Sequence, residues 1–194
     1  MSDFREEFLN IYKTNITREG SEELLNWLTK SDFFTAPAST KFHSAFEGGL
    51  CEHSVKVYKR YLAMIKAEFG ENYQSVISDE SIAIIGLLHD VCKVNSYKVD
   101  FRNVKDETGT WVKQPYYTFD EDLPYGHGEK SVYIITGFLR LTREEAIAIN
   151  WHMGGFDPRV KGGSYSVSDA FYRYPTAIIF HTADTLTTYL DEAR

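Results

Sequence analysis

Apolar residues recur every three or four positions over much of the chain, which is the spacing of amphipathic helices. Residues 3–13 and 19–29 predict two short helices of this kind, and a loop rich in Ser, Thr, Ala and Pro follows through Pro37. We expect residues 1–194 to form a single domain, with residues 1–40 as an N-terminal helical extension packed on it.

The strongest helical patterns lie in the middle of the chain. After Gly48-Gly49, His53 and Val57 fall on the apolar face of a third helix, so His53 is expected to point toward the core. From about Asp79 to His89 the residues are apolar nearly all round, which predicts a central helix buried by its neighbours. His89 and Asp90 close that helix.

Between about residues 95 and 119 the hydrophobic period changes to two, and a polar turn divides the segment. This predicts a β-hairpin inserted into a helical protein. Its aromatic side chains either pack on the helices, which is the interpretation we favour, or stack on a nucleobase. These side chains are Tyr97, Phe101, Trp111, Tyr116 and Tyr117.

Helical spacing resumes at His127, and the Thr142-Arg-Glu-Glu145 capping box predicts a further helix that runs to about Trp151. Residues 153–175 lack clear periodicity, which is long for a structureless loop and makes them a candidate lid. A last helix is predicted over about 176–192. The fold class indicated by these patterns is all-α, a helical bundle with an inserted hairpin.

Six imidazole and carboxylate side chains fall at inward-facing positions or at the ends of these helices. They are His53, His89, Asp90, His127, His152 and Asp184. An unpaired carboxylate among apolar side chains is costly without a cation. Imidazole and carboxylate together suit first-row transition metals, and six such ligands are enough for two ions bridged by one carboxylate.

The net charge of −7 and the sequence pI of about 5.4 should repel a long polyanion, so extended nucleic acid is not an expected partner. Cys51 and Cys92 do not resemble a disulfide framework, which favours reduced thiols. The charged N-terminus and the lack of a long apolar run indicate no signal peptide and no membrane partner. We therefore expect a cytoplasmic protein; the sequence does not indicate its oligomeric state.

His53, the doublet His89-Asp90 and the distant Asp184 resemble the HD-domain superfamily, in which these ligands lie on a bundle of helices. The resemblance extends from about Phe42 to Asp191. Three segments strengthen it, namely Gly48-Gly-Leu-Cys-Glu-His53, Gly126-His-Gly-Glu-Lys-Ser131 and Ile149-Asn-Trp-His-Met-Gly-Gly155. The first is similar to a segment of bacterial HD-domain phosphohydrolases, and the other two to a poorly characterised bacterial and phage group of HD-family hydrolases.

The resemblance implies one or two divalent metal ions, of Mn, Fe, Zn, Ni or Co, or of Mg. The first ion is bound by the HD ligands, which are His53, His89, Asp90 and Asp184. Asp90 would bridge to a second ion at His127 and His152. A one-metal centre, in which those two histidines contact a phosphate or act as an acid, stays open.

The function implied is that of a metal-dependent phosphohydrolase, a phosphomonoesterase or phosphodiesterase, which uses metal-activated water on a small phosphorylated substrate. We expect that substrate to be a nucleotide. Asp90 and Lys93 are the candidate catalytic residues, and Lys93 also the candidate phosphate ligand, by analogy with the family. Ser131, Arg159 and Lys161 are further candidate substrate ligands, although a polar rim or solvated loop residues would show the same pattern.

Two other functions are compatible with the six-ligand order. Some HD-domain relatives hold two irons and oxidise a substrate with O₂, and a nucleotide-binding sensor without turnover is the other alternative. The chain has Trp151-His152-Met153 where the cyclic-di-GMP-cleaving and exoribonuclease-like branches usually have two adjacent histidines. This departure argues against the activities of those two branches.

Overall fold

The computed structural model describes residues 2–192, with side chains from residue 4 onward. The α-helices are α1 (Ser2–Asn15), α2 (Ser21–Lys30), α3 (Gly49–Phe69), α4 (Asp79–Leu88), α5 (His127–Thr136), α6 (Arg143–Asn150), α7 (Pro158–Lys161), α8 (Ser166–Arg173) and α9 (Pro175–Leu186). The strands are β1 (Tyr97–Lys105) and β2 (Trp111–Phe119). The protein is thus mostly helical with a small antiparallel sheet, as the sequence pattern predicts. No helix in the described range is long and apolar enough to cross a membrane.

Helix α4 lies at the centre of the bundle. The Ser78 hydroxyl caps its N-terminus by accepting a hydrogen bond from the Ser81 N–H, and every residue from Ile82 to Leu88 is buried. Helix α3 packs against both α4 and α9, and α6 contacts α4 and α9 as well. Helices α3, α6 and α9 therefore surround the point at which α4 ends.

The contact between α3 and α4 depends on a glycine. A Cβ atom added to Gly86 would lie 2.7 Å from the Cα atom of Tyr58, a distance that real Cβ atoms essentially never show. Gly86 therefore allows the two backbones to approach closely. This approach brings His53 on α3 near His89, which directly follows α4.

Helix α1 packs on α3 and α4, with Phe8 and Tyr12 buried in the same hydrophobic core as the bundle. The guanidinium of Arg18 then joins two further elements, because it donates hydrogen bonds to Glu80 on α4 and to the buried Glu145 on α6. The N-terminal segment is thereby held on the bundle through both apolar and ionic contacts.

The predicted hairpin is confirmed, with Tyr97 opposite Phe119 and Lys105 opposite Trp111. The favoured packing of its aromatic residues is wrong for Phe101 and Trp111, whose residues are 60% and 66% exposed. Tyr97 does pack at the base of the hairpin, where its hydroxyl donates to the carbonyl of Ala38. The hairpin meets the helices at its base, so aromatics farther along the strands are left in solvent.

Two expectations for the C-terminal part need correction. Residues 153–175 are not structureless, since they contain α7 and α8. Helix α7 is a single turn that begins at the Asp157 cap and Pro158, and α8 has only eight residues, most of them exposed. The last α-helix ends at Leu186, and the chain continues as a π-helical turn over Thr187–Asp191.

Candidate metal centre

The structure brings all six predicted ligands together around Asp90. On one side, Nε2 of His53 lies 3.3 Å from Nε2 of His89, 3.2 Å from Oδ1 of Asp184 and 3.6 Å from Oδ2 of Asp90. Nε2 of His89 is in turn 3.5 Å from the same Asp90 oxygen. Four donors from α3, the end of α4 and α9 thus face a common point.

The other oxygen of Asp90 faces a second group of donors. Its Oδ1 atom is 2.8 Å from Nε2 of His127, the first residue of α5, and 3.6 Å from Nε2 of His152, just beyond α6. Asp90 therefore stands between two pairs of imidazoles, with one carboxylate oxygen toward each pair. This is the arrangement that a bridging carboxylate requires.

The hydrogen bonds at Nδ1 determine what the Nε2 atoms can do. Nδ1 of His89 lies 3.0 Å from the Gly86 carbonyl, and Nδ1 of His152 lies 2.6 Å from the Ile149 carbonyl. A carbonyl oxygen only accepts, so each Nδ1 carries a proton and Nε2 is the ring nitrogen that faces the centre. Similarly, Nδ1 of His53 donates to Oε2 of Glu192 at 3.0 Å. Such partners are typical of metal-binding histidines.

The Nε2 atoms of these rings therefore face carboxylate oxygens, an arrangement that needs a cation or a proton between them. Nε2 of His152 is buried and has no hydrogen-bond partner among residues 4–192. A buried polar atom without a partner costs free energy, and native proteins contain few. The donor set and this orphaned nitrogen both fit a divalent metal ion.

The electrostatics of the centre favour cations. Burial raises the pKa of Asp90, but the positive charge of Lys93 and contacts with the nearby histidines outweigh it, so the pKa stays well below its usual range. Burial lowers the pKa of His53, but hydrogen bonds to Asp184 and Glu192 raise it to about 9. Burial lowers the pKa of His89 to about 3. The field that attracts a proton to His53 would equally attract a metal ion.

Lys93 contacts the centre from a 3₁₀ turn and not from a continuation of helix α4. Helix α4 ends at Leu88, and a 3₁₀ turn over Val91–Lys93 follows. Nζ of Lys93 lies 2.6 Å from Oδ2 of Asp90 in a largely buried ion pair. Burial lowers the pKa of Lys93, but the negative charge of Asp90 outweighs this effect and the pKa is raised. A fixed ammonium thus sits beside the central carboxylate.

The remaining candidate substrate ligands lie in different surroundings. Ser131 is buried, and its Oγ accepts a hydrogen bond from the Cys92 N–H. The guanidinium of Arg159 stacks 3.9 Å from the ring centroid of Trp151 and donates to Asp157 and Glu129. Lys161 is exposed near the ring of Phe156. Their proposed roles in substrate binding stay predictions.

Four further residues contact the proposed ligands, namely Glu192, Cys92, His43 and His181. Glu192 binds His53, Cys92 Sγ lies 3.5 Å from Nδ1 of His127, and the ring of His43 lies 5.1 Å from that of His53. His181 also approaches, since its Nδ1 is 2.6 Å from the His152 carbonyl. Glu192 follows a π-helical turn, so the α-helical spacing from Asp184 does not predict its contact with His53.

Comparison with known proteins gives one relative of named activity. The chain is 34% identical over 86 residues to a dihydroneopterin 2',3'-cyclic phosphate phosphodiesterase of Methanocaldococcus jannaschii. The match covers 44% of this chain and 31% of that protein, so the chain matches about a third of the relative's length. No family model and no solved structure matches.

Proposed function

We propose that this protein is a metal-dependent phosphohydrolase, specifically a phosphodiesterase for a small phosphorylated substrate. One observation carries the proposal: four imidazoles and the carboxylate of Asp184 surround Asp90, and the Nε2 atoms of all four imidazoles face its two carboxylate oxygens. The partial similarity to a cyclic phosphate phosphodiesterase supports the choice of reaction. The HD-domain resemblance of the sequence supports it as well.

The residues divide into two ligand sets that share Asp90. We infer that His53, His89 and Asp184 would hold one ion with Oδ2 of Asp90, while His127 and His152 would hold a second ion with Oδ1. A divalent ion in such a site lowers the pKa of a water molecule toward neutrality and neutralises charge on a phosphoryl oxygen. Hydrolysis then forms a bond from the water oxygen to phosphorus and breaks one P–O bond, whose alcohol takes up a proton.

Lys93 is proposed as the protein's own positive charge for the phosphoryl group. Its ammonium is held within 2.6 Å of Asp90, so it has a fixed position next to the reacting region. A charge fixed in advance, in a site with little water, stabilises charge that develops in the transition state without a reorganisation cost. Asp90 in turn keeps Lys93 protonated.

The proposed substrate class is a small cyclic or linear phosphodiester, with a nucleotide as the finer proposal. The net charge of −7 supports a small ligand over a long polyanion. The finer proposal of a nucleotide is based on the HD-domain resemblance of the sequence.

A hydrolysis screen tests this function. Protein loaded separately with Mn, Fe(II), Co, Ni and Zn is incubated with bis(p-nitrophenyl) phosphate, 2',3'-cyclic nucleotides and dihydroneopterin 2',3'-cyclic phosphate. We expect metal-dependent phosphodiester cleavage that Asp90→Ala abolishes. Asp100→Ala is the matched control, because Asp100 lies on the exposed hairpin strand β1.

The outcomes separate the proposal from its alternatives. No cleavage of any substrate by a metal-loaded protein would overturn the phosphodiesterase. Tight binding of a nucleotide without turnover would favour a sensor, and tightly bound iron with O₂ consumption would favour an oxygenase. Cleavage that survives Asp90→Ala would contradict the role of the centre itself.

A further inference from the structure

Cys92 lies against the part of the centre formed by His127 and Oδ1 of Asp90. Its Sγ atom is 3.5 Å from Nδ1 and 3.6 Å from Nε2 of His127. Sulfur, imidazole nitrogen and carboxylate oxygen from these three residues lie within 4.8 Å of one another. Cys92 is buried, so its thiol is kept in this place by the fold.

Helix α5 fixes both the imidazole and the thiol. The backbone N–H of Cys92 donates to Oγ of Ser131 at 3.1 Å, and Ser131 lies one helical turn after His127 on the same helix. The turn that carries Cys92 is therefore tied to the helix that carries His127. Their relative position does not depend on a flexible loop.

A second observation points to a ligand at this place. His152 is buried, its Nε2 has no hydrogen-bond partner among residues 4–192, and that atom faces Oδ1 of Asp90 at 3.6 Å. The same carboxylate oxygen accepts the hydrogen bond from Nε2 of His127. Three potential donors, one of them without a hydrogen-bond partner, thus lie around one oxygen of Asp90.

We propose that Cys92 is a thiolate ligand of the second metal ion, together with Asp90, His127 and His152. This inference rests on the metal centre of the proposed function, but not on phosphodiester hydrolysis. In a tetrahedral site with metal–sulfur and metal–nitrogen bonds of about 2.3 and 2.1 Å, the two ligand atoms lie about 3.6 Å apart. The distance from Sγ of Cys92 to Nε2 of His127 is 3.6 Å. Binding releases the thiol proton of Cys92 and the Nε2 proton of His127 to solvent and changes no oxidation state.

A thiolate at this position sets the choice of metal. Soft thiolate ligands favour Zn over Mg and Mn, which prefer carboxylate, carbonyl and water. The side of the centre at His53, His89 and Asp184 has no sulfur donor within its described ligand group. The two ions are therefore expected to differ in affinity, with the Cys92 side retaining Zn or Co and excluding Mg.

Cobalt(II) substitution of the full chain tests this directly. We expect a thiolate-to-cobalt charge-transfer absorption in the near ultraviolet, which Cys92→Ser eliminates and Cys51→Ser retains. Cys51 is the matched control because it is also buried, but it contacts the carbonyl of Phe4 instead of the centre. Cys92→Ser should also weaken zinc binding about tenfold or more, with a smaller change for manganese.

Bound cobalt without this absorption would overturn the Cys92 assignment, and phosphodiesterase activity in the same sample would leave the proposed function standing. Failure to bind cobalt would overturn the Cys92 assignment, because the thiolate side is expected to retain cobalt, and failure to bind any of Mn, Fe(II), Co, Ni or Zn would overturn both proposals. If Cys92→Ser does not fold, X-ray absorption of zinc-loaded Cys51→Ser protein decides the question. A sulfur neighbour at about 2.3 Å supports the proposal, and a shell of only nitrogen and oxygen overturns it.

Discussion

Oε2 of Glu192 lies 3.0 Å from Nδ1 of His53, the ring nitrogen that faces away from Asp90 and Asp184. Both side chains are buried, and the carboxylate fixes the ring so that Nε2 is presented to the centre. Glu192 is thus a positioning residue for a candidate metal ligand. Its proposed effect on metal binding is exerted through His53.

Replacing Glu192 by Ala is expected to weaken metal binding by about 10- to 100-fold, because His53 loses both its fixed orientation and the negative charge behind it. Glu192→Gln, which can still accept the Nδ1 hydrogen bond, should recover part of this loss. Competition titration with a zinc chelator measures both. The control is Asp191→Ala, which removes the neighbouring carboxylate that pairs with Arg60 at the surface. Equal zinc affinity in all four proteins would refute this role.

Lys93→Met should reduce kcat/KM for the cleaved phosphodiester by about 100-fold or more, because the transition state loses a prepositioned positive charge. Metal content should not fall, since the substitution removes a cation that competes for Asp90. Steady-state kinetics on metal-saturated protein measure the effect. Lys59→Met is the control, because Lys59 pairs with Glu7 at the surface. Unchanged kinetics for Lys93→Met would reduce Lys93 to a structural partner of Asp90.

Gly86→Ala is expected to destabilise the protein by about 1–3 kcal/mol, because the added Cβ would force α3 away from α4 at Tyr58. Helix propensity alone predicts the opposite sign, a gain of about 1 kcal/mol. Urea denaturation measures the difference. Gly155→Ala serves for comparison, since a Cβ there meets no heavy atom within 4 Å. A stabilised Gly86→Ala protein would show that the close contact does not limit the packing.

The free energy of unfolding at acidic pH should depend on Glu80. Burial raises its pKa, but hydrogen bonds from the N–H groups of Thr17 and Arg18 and from the Arg18 guanidinium lower it below 4.5. A lowered folded-state pKa contributes stability that is present above 4.5 and lost as the pH falls through the folded value. At pH 7 we expect Glu80→Gln to cost about 1–2 kcal/mol.

Urea denaturation of both proteins in the presence of a chelator, from pH 7 down to pH 3, measures this dependence. The two unfolding free energies should converge at the acidic end. A difference that stays constant over the whole range would show that ionised Glu80 contributes nothing. The chelator removes bound metal ions, so that their release at low pH does not affect the measured unfolding free energies.

The elements of the site could be predicted from the sequence because each has a strong local cause. The apolar run before His89 forces a buried helix, and the capping box at Thr142 starts the helix before His152. The candidate ligands His89, Asp90 and His152 at the ends of these helices are accordingly buried. Their convergence on Asp90 is a structural result.

The remaining contacts depend on tertiary packing, which no local pattern contains. Cys92 faces His127 only because Ser131 binds its backbone, and Glu192 reaches His53 only because the chain continues as a π-helical turn after α9. The exposed hairpin aromatics show the same limit, since alternation identifies the strand but not whether anything covers its apolar face.

The number of divalent ions bound per chain tests the central claim most directly. Elemental analysis after metal loading and removal of free ions should give two ions for the wild-type protein. The His152→Ala variant should retain one ion, and Asp90→Ala should lose the bridging carboxylate and bind weakly at both sides. A wild-type protein that retains none of Mn, Fe(II), Co, Ni or Zn would contradict the account, and a ratio of one would contradict the second ion.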